Sequence, residues 1–161
     1  MTLSHDVFAE TNPAFCAAVL ASFSAAFVSL SEDGPELPVC YIALPIALSG
    51  DLAATFDGTN RNTGLLEWLT RSPQLQLGLA ARINASVDIV VEAIRFGCFA
   101  QVLVLGRGGR VCPGTRKVKK SVLGRLHDEP ALAVKHAERL GYWFAMAGST
   151  RTTFDMMGLT V

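Results

Sequence analysis

Residues 86–113 read SVDIVVEAIRFGCFAQVLVLGRGGRVCP, and the fold turns on how this stretch is divided. Its first half has a helical period. Val87, Val90, Val91, Ile94 and Cys98 recur every three or four positions, Asp88, Glu92 and Arg95 take the other side, and Gly97 is placed to stop the helix. Its second half changes period. Gln101–Leu105 is a β-branched and aliphatic run, and Gly106-Arg107-Gly108-Gly109 supplies a turn. Arg110–Cys112 returns until Pro113, which cannot donate to a ladder. A helix therefore leads straight into a two-stranded hairpin.

Working upstream, Thr63 is expected to cap a helix over Gly64–Thr70, and Ser72-Pro73 pairs a cap with a proline to start another over Gln74–Ile83. Three helical pieces followed by a hairpin are the element order of a winged helix-turn-helix with the hairpin as its wing, here over residues 63–113. Further out, Asn12-Pro13 opens a helix carrying Phe15, Val19, Phe23, Phe27 and Leu30, which Glu32-Asp33-Gly34-Pro35 ends. The apolar run Leu37–Leu48 contains Pro38 and Pro45 and reads as an extended edge segment. Ser49 or Asp51 starts a short helix at Leu52–Phe56, which Asp57-Gly58-Thr59-Asn60 breaks.

Downstream of the hairpin, Asp128-Glu129-Pro130 begins a long helix with Ala133, Ala137, Leu140, Phe144 and Ala147 inward and Lys135, Arg139, Tyr142 and Met146 outward. Gly148 closes it, and Ser149 caps a last helix that runs through Met157 to Gly158. The fold class expected is α+β and mainly helical: a winged helix-turn-helix-like domain with a two-stranded β-hairpin wing and flanking N- and C-terminal helices. It forms one domain over residues 1–161, with a core over 12–113, a mobile basic loop over 114–127 and C-terminal helices over 128–158. A chain of 161 residues suits a single core.

Half of the residues are hydrophobic and 17% are charged, with a mean hydropathy of +0.36, so more apolar surface is present than one core of this size requires. The uncharged stretch Thr11–Ser31 is long enough to span a bilayer, but it is dominated by alanine, broken by Ser22, Ser24 and Ser29, and preceded by Asp6 and Glu10 without a basic residue. A buried core helix and a cytoplasmic protein without membrane contact are the expectation. Cys16, Cys40, Cys98 and Cys112 form no CxxC pair and read as buried thiols in a reducing compartment.

The net charge of zero hides a division. Residues 1–93 hold ten acids and three bases, whereas residues 94–161 hold eleven bases and four acids. Arg107, Arg110, Arg116, Lys117, Lys119, Lys120 and Arg125 fall between Gly106 and Arg125 with no acid among them, a cationic stretch suited to phosphates or to an acidic protein face. The helix before the hairpin argues against base reading, because Asp88 and Glu92 on its outer face would meet phosphate.

For catalysis the residues are sparse. His5, His127 and His136 have no cysteine or carboxylate at ligand spacing, Gly106–Gly109 joins strands rather than opening a helix, and Gly148-Ser149-Thr150 lacks the lysine of a phosphate loop. No catalytic, cofactor or metal residue is assigned. Trp68 and Phe144 read as core, and Tyr142 and Met146 as protein-interface residues.

Four stretches together carry a family resemblance: Asn12-Pro13-Ala14-Phe15, Tyr41-Ile42-Ala43-Leu44-Pro45-Ile46, Leu65-Leu66-Glu67-Trp68-Leu69, and Leu140 through Thr150 (LGYWFAMAGST). In their order and spacing, over roughly residues 12–159, the chain resembles the middle components of bacterial three-component ABC systems, including the Lamassu-like defence group. The resemblance implies a non-enzymatic, winged-helix adaptor encoded between an SMC-like ABC ATPase and an effector, often a nuclease, in a system acting on phage or plasmid DNA. It brings no catalytic residues and no cofactor. DNA is then a partner only through the complex, and the alternative is a stand-alone winged-helix transcriptional regulator.

Overall fold

The computed structural model describes residues 12–119 and 128–160, the side chains of Asp128 and Glu129 excepted. Helix α1 (Pro13–Val28) begins as its sequence predicts: Asn12 Oδ1 accepts the N–H groups of Ala14 and Phe15 at 2.9 and 3.3 Å, and Pro13 needs no partner at the first helical position. Its burial is wider than the expected stripe. Cys16, Ala17, Ala18, Val19, Leu20, Phe23, Ser24 and Ala26 are all buried, whereas Leu30 lies beyond the helix and is exposed. A helix covered on so many sides has to be nearly all apolar, which accounts for the membrane-like composition of Thr11–Ser31. No single helix among the described residues is long and apolar enough to cross a membrane.

Ser24 is the exception inside α1. Its Oγ is fully buried and makes no hydrogen bond, so it bears a desolvation cost with no return. Ser24→Ala is expected to raise stability by about 1 kcal/mol, read as a higher urea midpoint at unchanged slope. A lower midpoint would show that something holds the hydroxyl.

The expected extended segment at Leu37–Leu48 is instead a helix, α2 (Leu37–Leu48). Pro38 sits in the first turn, where a missing N–H costs nothing, and Pro45 lies in the last turn, where it removes only the bond to the Tyr41 carbonyl. Against that loss stands the burial of Val39, Cys40, Ile42, Ala43, Leu44, Ile46 and Ala47, a set too continuous for a half-solvated edge strand. A 3-10 turn (Gly50–Phe56) follows and drops Phe56 into the core.

Next comes α3 (Leu65–Arg71), capped by Gly64 at φ 82° rather than by Thr63, whose Oγ1 accepts the Asn60 N–H in the preceding turn. The single helix expected over Gln74–Ile83 is split. A 3-10 turn (Pro73–Gln76) ends at the left-handed Gly78, and α4 (Leu79–Ala85) starts afresh, leaving Leu77 78% exposed at the break. Helix α5 (Val87–Phe99) passes through Gly97 instead of ending there, because Leu103 occupies the space a Cβ would need, 2.5 Å from its Cδ1. The stop is at Gln101, left-handed at φ 63°. Its N–H reaches the Cys98 carbonyl at 3.2 Å and the Val102 N–H reaches Gly97 at 2.9 Å, a Schellman closure.

The hairpin forms around the expected turn, but its first strand starts at Leu103 rather than at the left-handed Gln101, and Pro113 lies within the return strand, paired with Leu103, instead of stopping it. Strand β1 (Leu103–Leu105) pairs antiparallel with β2 (Val111–Pro113), Val104 opposite Cys112, around a turn at Arg107–Gly109. It is the only sheet among the described residues, so the fold is mainly helical with a small two-stranded sheet. Helix α6 (Asp128–Met146) and α7 (Thr150–Met156) complete it, the latter capped by Ser149 Oγ accepting the Thr152 N–H at 3.0 Å.

The core lies where α1 meets α5 and α6. Gly141 permits the close crossing of α6 over α1, since a Cβ there would press on the Phe23 carbonyl and on the Ala26 methyl. The three helical pieces of 63–113 do not rest chiefly on one another. Helix α3 packs about equally on α6, on the Gly50–Phe56 turn and on the Pro73–Gln76 turn, and α5 packs mainly on α1. The hairpin packs with β1 on α5 and β2 on α1, and the Val111 N–H ties it to the α1–α2 connection by donating to the Pro35 carbonyl at 2.8 Å.

Candidate functional site

Of the seven bases singled out in sequence, Lys120 and Arg125 lie outside the described residues. Arg110 is used internally and is withdrawn from the contact set. Its guanidinium donates to the Gly34 carbonyl at 2.8 Å and pairs with Glu36 at 3.6 Å, tying the hairpin to the α1–α2 connection. Arg107, Arg116, Lys117 and Lys119 are exposed and make no ion pair among the described residues. The part of the expected mobile loop that is described, Gly114–Lys119, is anchored at its start. The Gly114 N–H donates to the Val102 carbonyl at 2.9 Å and the Arg116 N–H to the Gln101 carbonyl at 3.0 Å, prolonging the hairpin. Only a glycine fits at 114, because a Cβ would collide with the Gln101 carbonyl.

That anchoring places Arg116 and Lys117 on one wall of a groove of about 430 Å³. Its floor is the outer side of α1 (Ala18, Ala21, Ser22, Ala25), with Val102, Pro113 and Val118 beside the bases and Glu138 and Tyr142 of α6 opposite. Tyr142 is half-buried, with the Arg61 guanidinium 4.3 Å over its ring. Met146, one turn further along α6, belongs to a different groove of about 380 Å³, where it lies 48% exposed with Leu66, 65% exposed, near Met156 and over Trp143. The two expected interface residues thus serve two separate surfaces. A third apolar surface had no place in the sequence reading: Phe96 and Phe99 share the outer face of α5 with Glu92 and Arg95, and Phe99 is 88% exposed. Their positions, off the inward stripe at helical spacing, were the available signal.

Three titratable groups are shifted by their surroundings. His136 is 5% exposed and stacks on Phe56 with ring centroids 4.0 Å apart. Burial, helped by the nearby Arg139 charge and opposed by Asp57, pulls its pKa down to about 4. Burial pushes the Cys40 thiol up to about 12, so it is no nucleophile. The Arg82 guanidinium, 2.7 Å from Asp51 Oδ2, holds that carboxyl below its ordinary range and pins the start of the Gly50–Phe56 turn to α4. No group of three metal-ligating side chains occurs among the described residues.

Fold and surface together define a mainly helical domain whose outstanding chemistry is apolar grooves and a one-sided cationic rim. The chain belongs to the family of ABC-three component (ABC-3C) system Middle Component 3, whose model matches residues 2–161. It is thus a middle component of a multi-component ABC system of the defence type, one that works with other components. No curated protein and no solved structure matches it.

Proposed function

We propose that this middle component is a non-enzymatic adaptor that joins an SMC-like ABC ATPase to an effector such as a nuclease, in a Lamassu-like system directed at phage or plasmid DNA. The observation that carries the reading is the amount of large apolar side chain left outside one well-filled core, gathered on more than one surface: Leu66 and Met146 are exposed in one groove, and Phe96 and Phe99 on the outer face of α5. Exposed patches of this kind mark protein contacts, and several faces suit a subunit held between neighbours. In this reading DNA reaches the chain through the complex, and residues 63–113 act as a winged-helix-like element that docks on protein.

A stand-alone regulator is the weaker reading. Its recognition helix would be α5, whose outer face offers Asp88, Glu92 and two phenylalanines, and whose one base, Arg95, is paired with Glu92 at 3.0 Å. Co-expression of the tagged chain with the genes encoded beside it tests the proposal. Recovery of a complex with both neighbours is expected; recovery of the subunit alone, or selection of one duplex sequence by the isolated chain, would overturn it.

A further inference from the structure

We infer that the groove between α1, the Gly114–Lys119 segment and α6 seats an acidic amphipathic segment of another component of the system. This rests on the adaptor reading and specifies one of its contacts. The floor of the groove is methyl groups, from Ala21 and Ala25 on α1 and from Val118. One wall is cationic, with Arg116 and Lys117 held in place by the backbone bonds of Gly114 and Arg116 to Val102 and Gln101. A partner that satisfies both must bury apolar side chains against the alanines and set carboxylates along one flank.

Charge decides between the two polyanions that a basic stretch attracts. A nucleic-acid duplex would neutralise Arg116 and Lys117, but its stacked bases offer no apolar face to cover the alanine floor, and its second row of phosphates would approach the exposed Glu138 on the opposite wall. An amphipathic protein segment carries its charge on one side and meets neither difficulty. Groove-to-groove self-association is disfavoured for a related reason, since it would bring the same cationic rim against this one.

The experiment uses the co-expressed complex. Two variants leave the core untouched, since all three positions lie outside it: Ala25→Trp, which fills the groove, and the double reversal Arg116→Glu, Lys117→Glu. Each is expected to lower recovery of one neighbouring component about ten-fold or more while the other is retained. A photo-crosslinking residue at position 25 is expected to label, in that same component, an apolar segment flanked by Asp or Glu. If wild type recovers both components and both variants still do, the groove is not the seat, although the adaptor reading stands. If wild type recovers neither, the adaptor reading itself fails. Crosslinks found only in nucleic acid, only in a second copy, or only within residues 120–127 of the same chain would each overturn the inference.

Discussion

Trp143→Ala is expected to lose about 4 kcal/mol, the range for truncating a fully buried tryptophan, and so a large part of the stability of a domain this size. Trp143 is inaccessible to solvent and lies parallel to Phe56 at 5.8 Å and tilted to Trp68 at 5.1 Å. Its Nε1–H donates to the Asn60 carbonyl at 3.0 Å. One side chain on α6 thereby holds three elements: the Gly50–Phe56 turn, the loop at Asn60 and α3. Truncation opens a cavity among aromatic rings that have no room to collapse, and it removes one of the two hydrogen bonds to the Asn60 carbonyl, which keeps only the Thr63 N–H at 3.1 Å. Met146→Ala, three residues on but exposed, is expected to stay within about 0.5 kcal/mol of wild type. Urea unfolding of both variants measures the contrast; a loss below about 1 kcal/mol for Trp143→Ala would mean that the aromatic cluster is not what holds α6 to α3. Because Trp143 also floors the groove that holds Met146 and Leu66, the same variant should weaken any partner seated there.

Elements set by local chemistry were legible in the sequence. Asn12-Pro13, Ser149 and the Gly106–Gly109 turn each act within four residues of themselves, and each is found where the residues put it. Proline misled where its position in an element mattered more than its presence. Pro38 and Pro45 argue against a central strand, yet at the two ends of α2 they are compatible with a buried helix, and only the surrounding helices reveal the burial that makes it worthwhile. Gly97 and Gly78 exchanged roles for a similar reason. The first is needed for Leu103 to pack, a contact across a chain reversal, while the second breaks a helix whose cap and proline were both present.

The site was legible only in its charges. Arg107 through Lys119 stood out by composition, but Arg110 could not be told from its neighbours until Glu36 and the Gly34 carbonyl were found beside it, far away in sequence. The groove itself depends on how the hairpin is extended by Gly114 and Arg116, and on which side of α1 is left uncovered by α5 and α6. Neither is written in any single stretch. Alanines at 18, 21 and 25 read as helix formers in isolation and become a binding floor only when a cationic segment is laid alongside them.

Acid is expected to destabilise the domain through His136. Its pKa is about 4 in the folded protein and near 6.5 in the unfolded chain, so the unfolded state takes up the proton first as pH falls. The stability that the neutral, stacked imidazole secures is whole above about pH 6.5, declines between 6.5 and 4, and is gone below that. The shift amounts to about 3 kcal/mol at one pKa unit per 1.36 kcal/mol. The cause is geometric: a ring lying on Phe56 cannot be solvated when charged, and the Arg139 guanidinium, which donates to the Phe56 carbonyl at 3.1 Å, opposes a second positive charge nearby. His136→Leu keeps an apolar group in that place and removes the titration. Its unfolding free energy is expected to be flat from pH 6.5 to 4.5 where the wild type falls, whereas Asp51, whose carboxyl Arg82 holds below the ordinary range, contributes its own loss only at lower pH. Should the leucine variant show the wild-type slope across that interval, the acid sensitivity would belong to other groups, and His136 would take up its proton in the folded protein as readily as in the unfolded chain.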